Sequence, residues 1–148
     1  MRVWRISSYV DLSGKGGFVT DGRWHPLNTP IVYCADHPAS SLLEMLAHID
    51  AEDAPPSFQL LGIDLPDGIS IEVPDLVGDW ANDQSFTQGL GKSFIASGRA
   101  AVLQVPSVIV PFAWHYLLNP AMVDATGIRI ESVTRHPIDP RLIDHITS

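Results

Sequence analysis

"DGRWHPLNTPIVYCAD", residues 21–36, together with "HPASSLLEMLAHID", residues 37–50, decides how the rest of the chain is read. The first half is a Gly/Pro/Asn-rich loop that carries Arg23 and Trp24. It runs into a short apolar strand over "PIVYCA", 30–35, with Tyr33 near its middle. The next segment has helical spacing, with Pro38 in its first turn. Leu42, Met45, Leu46 and Ile49 recur at i, i+3, i+4 and i+7, which predicts a buried stripe. Glu44 falls opposite that stripe, near Ser40, Ser41 and His48. A glutamate there is ordinarily a solvated surface group, and it gains a chemical role only where the polar face looks into a cleft.

Working outward, "RVWRI" at 2–6 alternates and predicts a first strand, followed by a glycine-rich loop over 7–22. After the 37–50 helix, "FQLLGIDL" and "ISIEV" are expected strands around the turn "PDG". Residues 82–97, "NDQSFTQGLGKSFIAS", predict a helix interrupted at Gly89 and Gly91, each of which weakens it by ~1 kcal/mol. "AVLQVPSVIV" predicts one or two strands, "WHYLLNP" a further element ending in an Asn-Pro turn, "GIRIESVTRHPI" an alternating strand and "PRLIDHI" a short helix. Strands outnumber helices and are not regularly separated by them. The class is therefore α+β, one domain over 1–148, with one or two antiparallel or mixed sheets.

Composition excludes several functions. A net charge of −8 with only nine basic residues argues against a nucleic-acid binder, which needs clustered Lys and Arg. Arg2, Arg5, Lys15 and Arg23 nevertheless crowd near the N-terminus, so one local positive site can exist on a negative body. A lone cysteine, Cys34, rules out an internal disulfide and fits a reducing compartment. With no apolar run of about 20 residues and no leader pattern, the expectation is a cytoplasmic protein without membrane contact.

Among the chemical motifs, "SGKGG" at 13–17 lacks the spacing of a phosphate-binding Walker loop and is left as a loop able to close over a ligand. Ser107 has no Gly-x-Ser-x-Gly elbow around it. Cys34, His37, Glu44 and His48 offer a loosely spaced metal set, against which stands Cys34 as a small buried hydrophobe. Arg5, on an alternating strand, and Arg23 carry more weight. Guanidinium groups hold phosphates in a bidentate fork, and two of them beside a carboxylate can hold a diphosphate.

"WRI" near the start, "DLSGKGGFVTDGRWHPLNTPIVYCA", "SSLLEMLAH", "VPSVIVP" and "LLNP" together resemble the RES domain, the toxin half of RES–Xre toxin–antitoxin pairs. The similarity covers nearly the whole chain, with 66–100 contributing little. His25 stands where the family often has asparagine. The family's eponymous arginine, glutamate and serine correspond to Arg23, Glu44 and Ser107. The resemblance implies an ADP-ribosyltransferase-like split β-sheet core with flanking helices around an NAD-binding cleft. It implies cleavage of NAD with loss of nicotinamide, NAD being the substrate, with no other cofactor and no metal required. Water, phosphate or a protein side chain would receive the ADP-ribosyl group. Glu44, Arg23 and Tyr33 would form the catalytic set, while Arg5, Ser107 and Asn119 would line the NAD site. Arg23 and Tyr33 would hold opposite ends of the ligand. The implied partner is an Xre-type antitoxin covering the cleft, in a homo- or hetero-oligomer. Two alternatives stay open: a non-catalytic nucleotide-binding module, and a metal-dependent hydrolase using Cys34, His37 and His48.

Overall fold

In the computed structural model residues 1–147 are described; Ser148, the last residue of the expected domain, lies outside them. The alternating segment near the start becomes β1 (Arg2–Ile6), and the apolar run ahead of the first helix becomes β2 (Val32–Ala35). They are followed by α1 (Pro38–Ala47), β3 (Ser57–Asp64), β4 (Ile71–Glu72) and α2 (Gln84–Ser97). Then come β5 (Val102–Pro106), β6 (Trp114–Leu118), α3 (Val123–Thr126), β7 (Arg129–Pro137) and α4 (Pro140–Thr147). The strands form one mixed seven-stranded sheet in the order β4-β5-β6-β2-β1-β3-β7. Only β4 and β5 run parallel; every other neighbour pair is antiparallel.

The weak seam of this sheet lies at its centre. β1 pairs with β3 along its whole length, but it meets β2 in register only at Trp4 and Ala35. Beyond that pair the two strands diverge, so the sheet splits into a β4-β5-β6-β2 half and a β1-β3-β7 half. Backbone groups along the split need other partners. The Ser41 hydroxyl donates to the Trp4 carbonyl at 3.1 Å, and Arg5 Nη1 donates to the Tyr33 carbonyl at 3.0 Å. The expected split core is therefore present, built as one sheet with a single-pair hinge.

Apolar side chains cover both faces. Val3, Val32, Cys34, Leu61, Ile63, Val102, Tyr116 and Leu118 form a cluster on one side. Trp24, Ile31, Phe94, Leu103, Val105 and Leu117 form the other, beneath α2. Strand alternation assigns the neighbours: Tyr33 is opposite Leu117, while Ala35 and Val105 are both opposite His115, so these side chains share the α2 side.

Several local expectations change. α2 runs unbroken through both glycines. Gly91 is present because a Cβ there would overlap the Trp24 carbonyl oxygen, so the helix can seat on the 21–25 loop only without a side chain at this position. The predicted strand "AVLQVPSVIV" stops at Pro106, because the Ser107 hydroxyl accepts hydrogen bonds from the amides of Ile109 and Val110 and folds the chain into a turn. "ISIEV" shrinks to two paired residues, and α3 has no counterpart in the sequence reading. The expected stripe of Leu42, Met45, Leu46 and Ile49 is half-buried, with Ile49 beyond the end of α1, and the one buried residue of that helix is Ser41.

Candidate active site

The split in the sheet opens into a cleft of about 600 Å³, walled by β1, β2, α1, the 21–25 loop and the turn after β5. Tyr33 is fixed by the strand register. Arg5 starts on the opposite face, alongside Val3, and its guanidinium reaches the Tyr33 carbonyl across the gap. Its Nε is buried and has no hydrogen-bond partner among the described residues. Such a donor ordinarily costs ~1–3 kcal/mol.

α1 begins at His37, whose Nδ1 accepts from the Ala39 amide at 3.0 Å, with Pro38 in the first turn. This start sets the helix phase so that Ser41, Glu44, Met45 and His48 face the cleft. The polar face of α1 therefore looks inward. Glu44 Oε1 accepts from His115 Nε2 at 2.9 Å; His115, on β6, is itself buried. Burial would raise the Glu44 carboxyl, but the His115 hydrogen bond and the charges of His115, His48 and Arg23 outweigh it and hold it below the ordinary range. The group is thus a carboxylate at neutral pH. His48 Nδ1 also donates to the Glu44 backbone carbonyl at 2.7 Å.

Arg23 is held by α2. The Thr87 hydroxyl donates to the Arg23 carbonyl, and Gln88 Nε2 reaches both the Gly22 carbonyl at 2.8 Å and Asp21 Oδ2 at 3.0 Å. Trp24 is buried against Trp80, with ring centres 5.7 Å apart. Arg23 Nη1 donates to the Ala81 carbonyl at 2.8 Å, which orients the guanidinium at the cleft wall. Residues 80–97, the stretch that carried least of the sequence resemblance, are thus what positions this arginine.

Tyr33 Oη accepts from the Trp24 amide at 3.1 Å and lies 2.6 Å from His25 Nδ1. Burial pushes its phenol well above the ordinary range. Tyr33 and Arg23 both line the cleft, with the Tyr33 hydroxyl tied to the residue that follows Arg23 and the Arg23 guanidinium turned toward Ala81.

The structure brings Arg5, Arg23, Tyr33 and Glu44 together around one cavity. It does not bring Ser107 or Asn119 to the lining. The Ser107 hydroxyl is engaged by its own turn, and buried Asn119 accepts from the Ala121 amide at 3.1 Å as the cap of the turn over Pro120–Met122. His115 and His25 are the site residues that the sequence left unassigned. The metal alternative does not assemble: among the described residues, Cys34, His37, Glu44 and His48 do not converge on a common point. Cys34 is buried, and burial pushes its thiol up to about 12, so it is a neutral core residue. Among the described residues no helix is long and apolar enough to cross a membrane.

A second cavity of about 580 Å³ lies beside the first and shares Arg5 with it. Ser7, Ser13 and Lys15 are among its walls, so the glycine-rich 13–17 loop lines this space. Arg5 thus lines both the cleft that carries Glu44 and a second space whose walls bring hydroxyls, the Lys15 amine and the Asp11 carboxylate.

Comparison with known proteins places this architecture. Residues 2–139 match the RES domain model. A protein of Pseudomonas putida named Toxin Res is 42% identical over 134 residues, covering 88% of this chain and 92% of that protein. The Prs ADP-ribosylating toxin of Sphingobium sp. is 36% identical across 95% of both chains. In fold, the chain is similar to one in the crystal structure of the M. tuberculosis MbcT–MbcA toxin–antitoxin complex. That match has a TM-score of 0.73 at 18% identity and covers 98% of this chain and 87% of that one. With the family match spanning nearly every described residue and relatives of this identity covering most of its length, the chain belongs to the RES domain family.

Proposed function

We propose that this protein is the toxin of a toxin–antitoxin pair and that its cleft cleaves the nicotinamide–ribose bond of NAD. The observation that carries the reading is a Glu44 carboxylate, kept ionised by His115, facing a cleft that also presents Arg5, Arg23 and Tyr33. The names of the relatives, two of them toxins and one of those ADP-ribosylating, support the same assignment.

In the reaction the bond from ribose C1′ to the nicotinamide nitrogen breaks, and its electron pair leaves with nicotinamide, which departs neutral. Positive charge develops on C1′ and the ring oxygen, as in glycoside cleavage. A carboxylate at that sugar stabilises this charge and accepts a hydrogen bond from a ribose hydroxyl. An acceptor oxygen or nitrogen then bonds to C1′ and releases its proton. The guanidinium groups of Arg5 and Arg23, both in the cleft lining, suit the pyrophosphate. An extended dinucleotide also fits two cavities that meet at one arginine.

Water, phosphate and a protein side chain are distinguished by their products. Incubating NAD labelled in its adenine half without phosphate, with phosphate and with a cell extract should give ADP-ribose, its phosphorylated form or a labelled protein respectively. Recovery of intact NAD under all three conditions would remove the catalytic reading. The antitoxin is taken to be an Xre-type protein that covers the cleft mouth. Co-expression should then yield a stable complex in which NAD no longer binds.

A further inference from the structure

His25 lines the cleft with no role in the proposed chemistry, yet it sits at the best-defined hydrogen-bond junction in the site. The residue is 6% exposed. Nε2 is 2.8 Å from the Thr20 carbonyl, and Nδ1 is 2.6 Å from Tyr33 Oη. A carbonyl can only accept, so Nε2 carries a proton. In neutral His25, Nδ1 is therefore a lone pair, and the 2.6 Å contact is a hydrogen bond donated by the Tyr33 hydroxyl. That hydroxyl accepts at the same time from the Trp24 amide. Its one proton is committed to His25, and toward the cleft it can only accept.

Charging His25 inverts this. Nδ1 then bears a proton and donates to Tyr33 Oη, which already accepts from Trp24. The phenol proton must leave that line, and the cleft is the open side of the residue. The pocket is closely built around the pair: a Cβ on Gly22 would come within 2.8–2.9 Å of the His25 ring and Tyr33 Oη, so only glycine closes the loop here. The charged groups bearing on the pair are Asp21 and Arg23 from the same loop and Glu44 from α1, with Arg5 on the Tyr33 carbonyl from β1.

We propose that His25 is a positioning residue that sets the hydrogen-bond sense of Tyr33, an acceptor toward the cleft when His25 is neutral and a donor to a ligand oxygen when it is charged. The sense reversal rests on the geometry alone; its consequence for NAD rests on the function proposed above. A pyrophosphate or carboxamide oxygen can only accept and needs a donor, so NAD binds better to the charged form.

Two measurements test this separately. The first is ¹⁵N NMR of histidine-labelled, ligand-free protein across the imidazole range. Neutral His25 should be the Nε2–H tautomer with a hydrogen-bonded Nδ1, and the Nδ1 signal should move to that of an unbonded nitrogen in Tyr33→Phe. An Nδ1–H tautomer, or a signal unaffected by Tyr33→Phe, overturns the proposal whatever the protein does with NAD. The second is the KM for nicotinamide release on either side of the pH at which the same spectra show His25 taking up its second proton. It should fall roughly fivefold in the wild type on going to the charged form, the scale of one hydrogen bond, and stay flat in His25→Asn, His25→Gln and Tyr33→Phe; a His25 that stays neutral until the protein unfolds also overturns the proposal. A slope that persists in the His25 variants contradicts the proposal. The predicted tautomer in a protein that releases no nicotinamide would uphold the His25–Tyr33 pairing and remove the NAD reading instead.

Discussion

A carboxylate stabilises a developing cation only while it is ionised, and at Glu44 two opposing effects decide that. Half-burial favours the neutral acid, whereas His115, His48 and Arg23 favour the anion and prevail. Removing His115 should therefore let burial win. In His115→Leu the acid limb of the kcat/KM profile for nicotinamide release should move to higher pH, while His115→Gln, which keeps a donor, should move it less. An acid limb unchanged in both variants would show that His115 does not govern the carboxylate. The stability sign agrees: a depressed folded-state value means that the Glu44 contribution is present above the unfolded carboxyl range and is lost as pH falls through the folded one. At this scale the sequence disclosed about half the site. Arg5 and Arg23 stand out as a strand arginine and a loop arginine, whereas Glu44, locally an ordinary surface glutamate, and Tyr33 are named through the family resemblance. His115 could not be named, since it meets Glu44 across 71 residues of chain and looks locally like any polar position in "WHYLL". Ser107 and Asn119 illustrate the converse. Their motifs were visible, but the same side chains satisfy a local turn and a local cap, which spacing cannot tell from a ligand contact.

Helix α2 shows how an element with weak local propensity can carry a site. Gly89 and Gly91 appear equivalent in sequence, and the structure separates them. A Cβ on Gly89 meets nothing within 4 Å, whereas one on Gly91 would overlap the Trp24 carbonyl. Gly89→Ala should therefore stabilise the protein by about 0.5–1 kcal/mol, raising Tm with kinetics unchanged. Gly91→Ala should lower Tm and, by pushing the 21–25 loop off the helix, raise the KM for NAD through Arg23. Equal effects of the two substitutions would contradict this division of roles. The same helix opens with Asp83, whose Oδ1 accepts from the Phe86 amide at 3.0 Å. Asp83→Ala should cost about 0.5–2 kcal/mol in thermal denaturation, and no loss would mean that the cap is not a determinant of the helix. Propensity alone read this segment as broken, because packing against a loop 60-odd residues earlier is not encoded in any local window.

Across the whole molecule, two half-sheets share one register pair, and the ligand cleft opens where that pairing ends. Strand alternation made the α+β class legible, and the family resemblance supplied the split. The order of the strands and the single-pair seam follow from long-range pairing that a linear pattern does not reveal. A ligand that bridges the seam should stabilise the entire fold. At a hundredfold excess over its dissociation constant NAD should add about 2.7 kcal/mol, seen as a concentration-dependent rise in Tm that Arg23→Ala reduces; a Tm indifferent to NAD would contradict binding across the seam. The central claim is that Glu44 in this cleft breaks the nicotinamide–ribose bond, and nicotinamide release from NAD by wild type and Glu44→Gln, both checked for folding by circular dichroism, tests it most directly. We expect release by the wild type and a kcat lower by roughly 10²–10³ in the variant with Tm nearly unchanged. Equal release by the two folded proteins would contradict the claim.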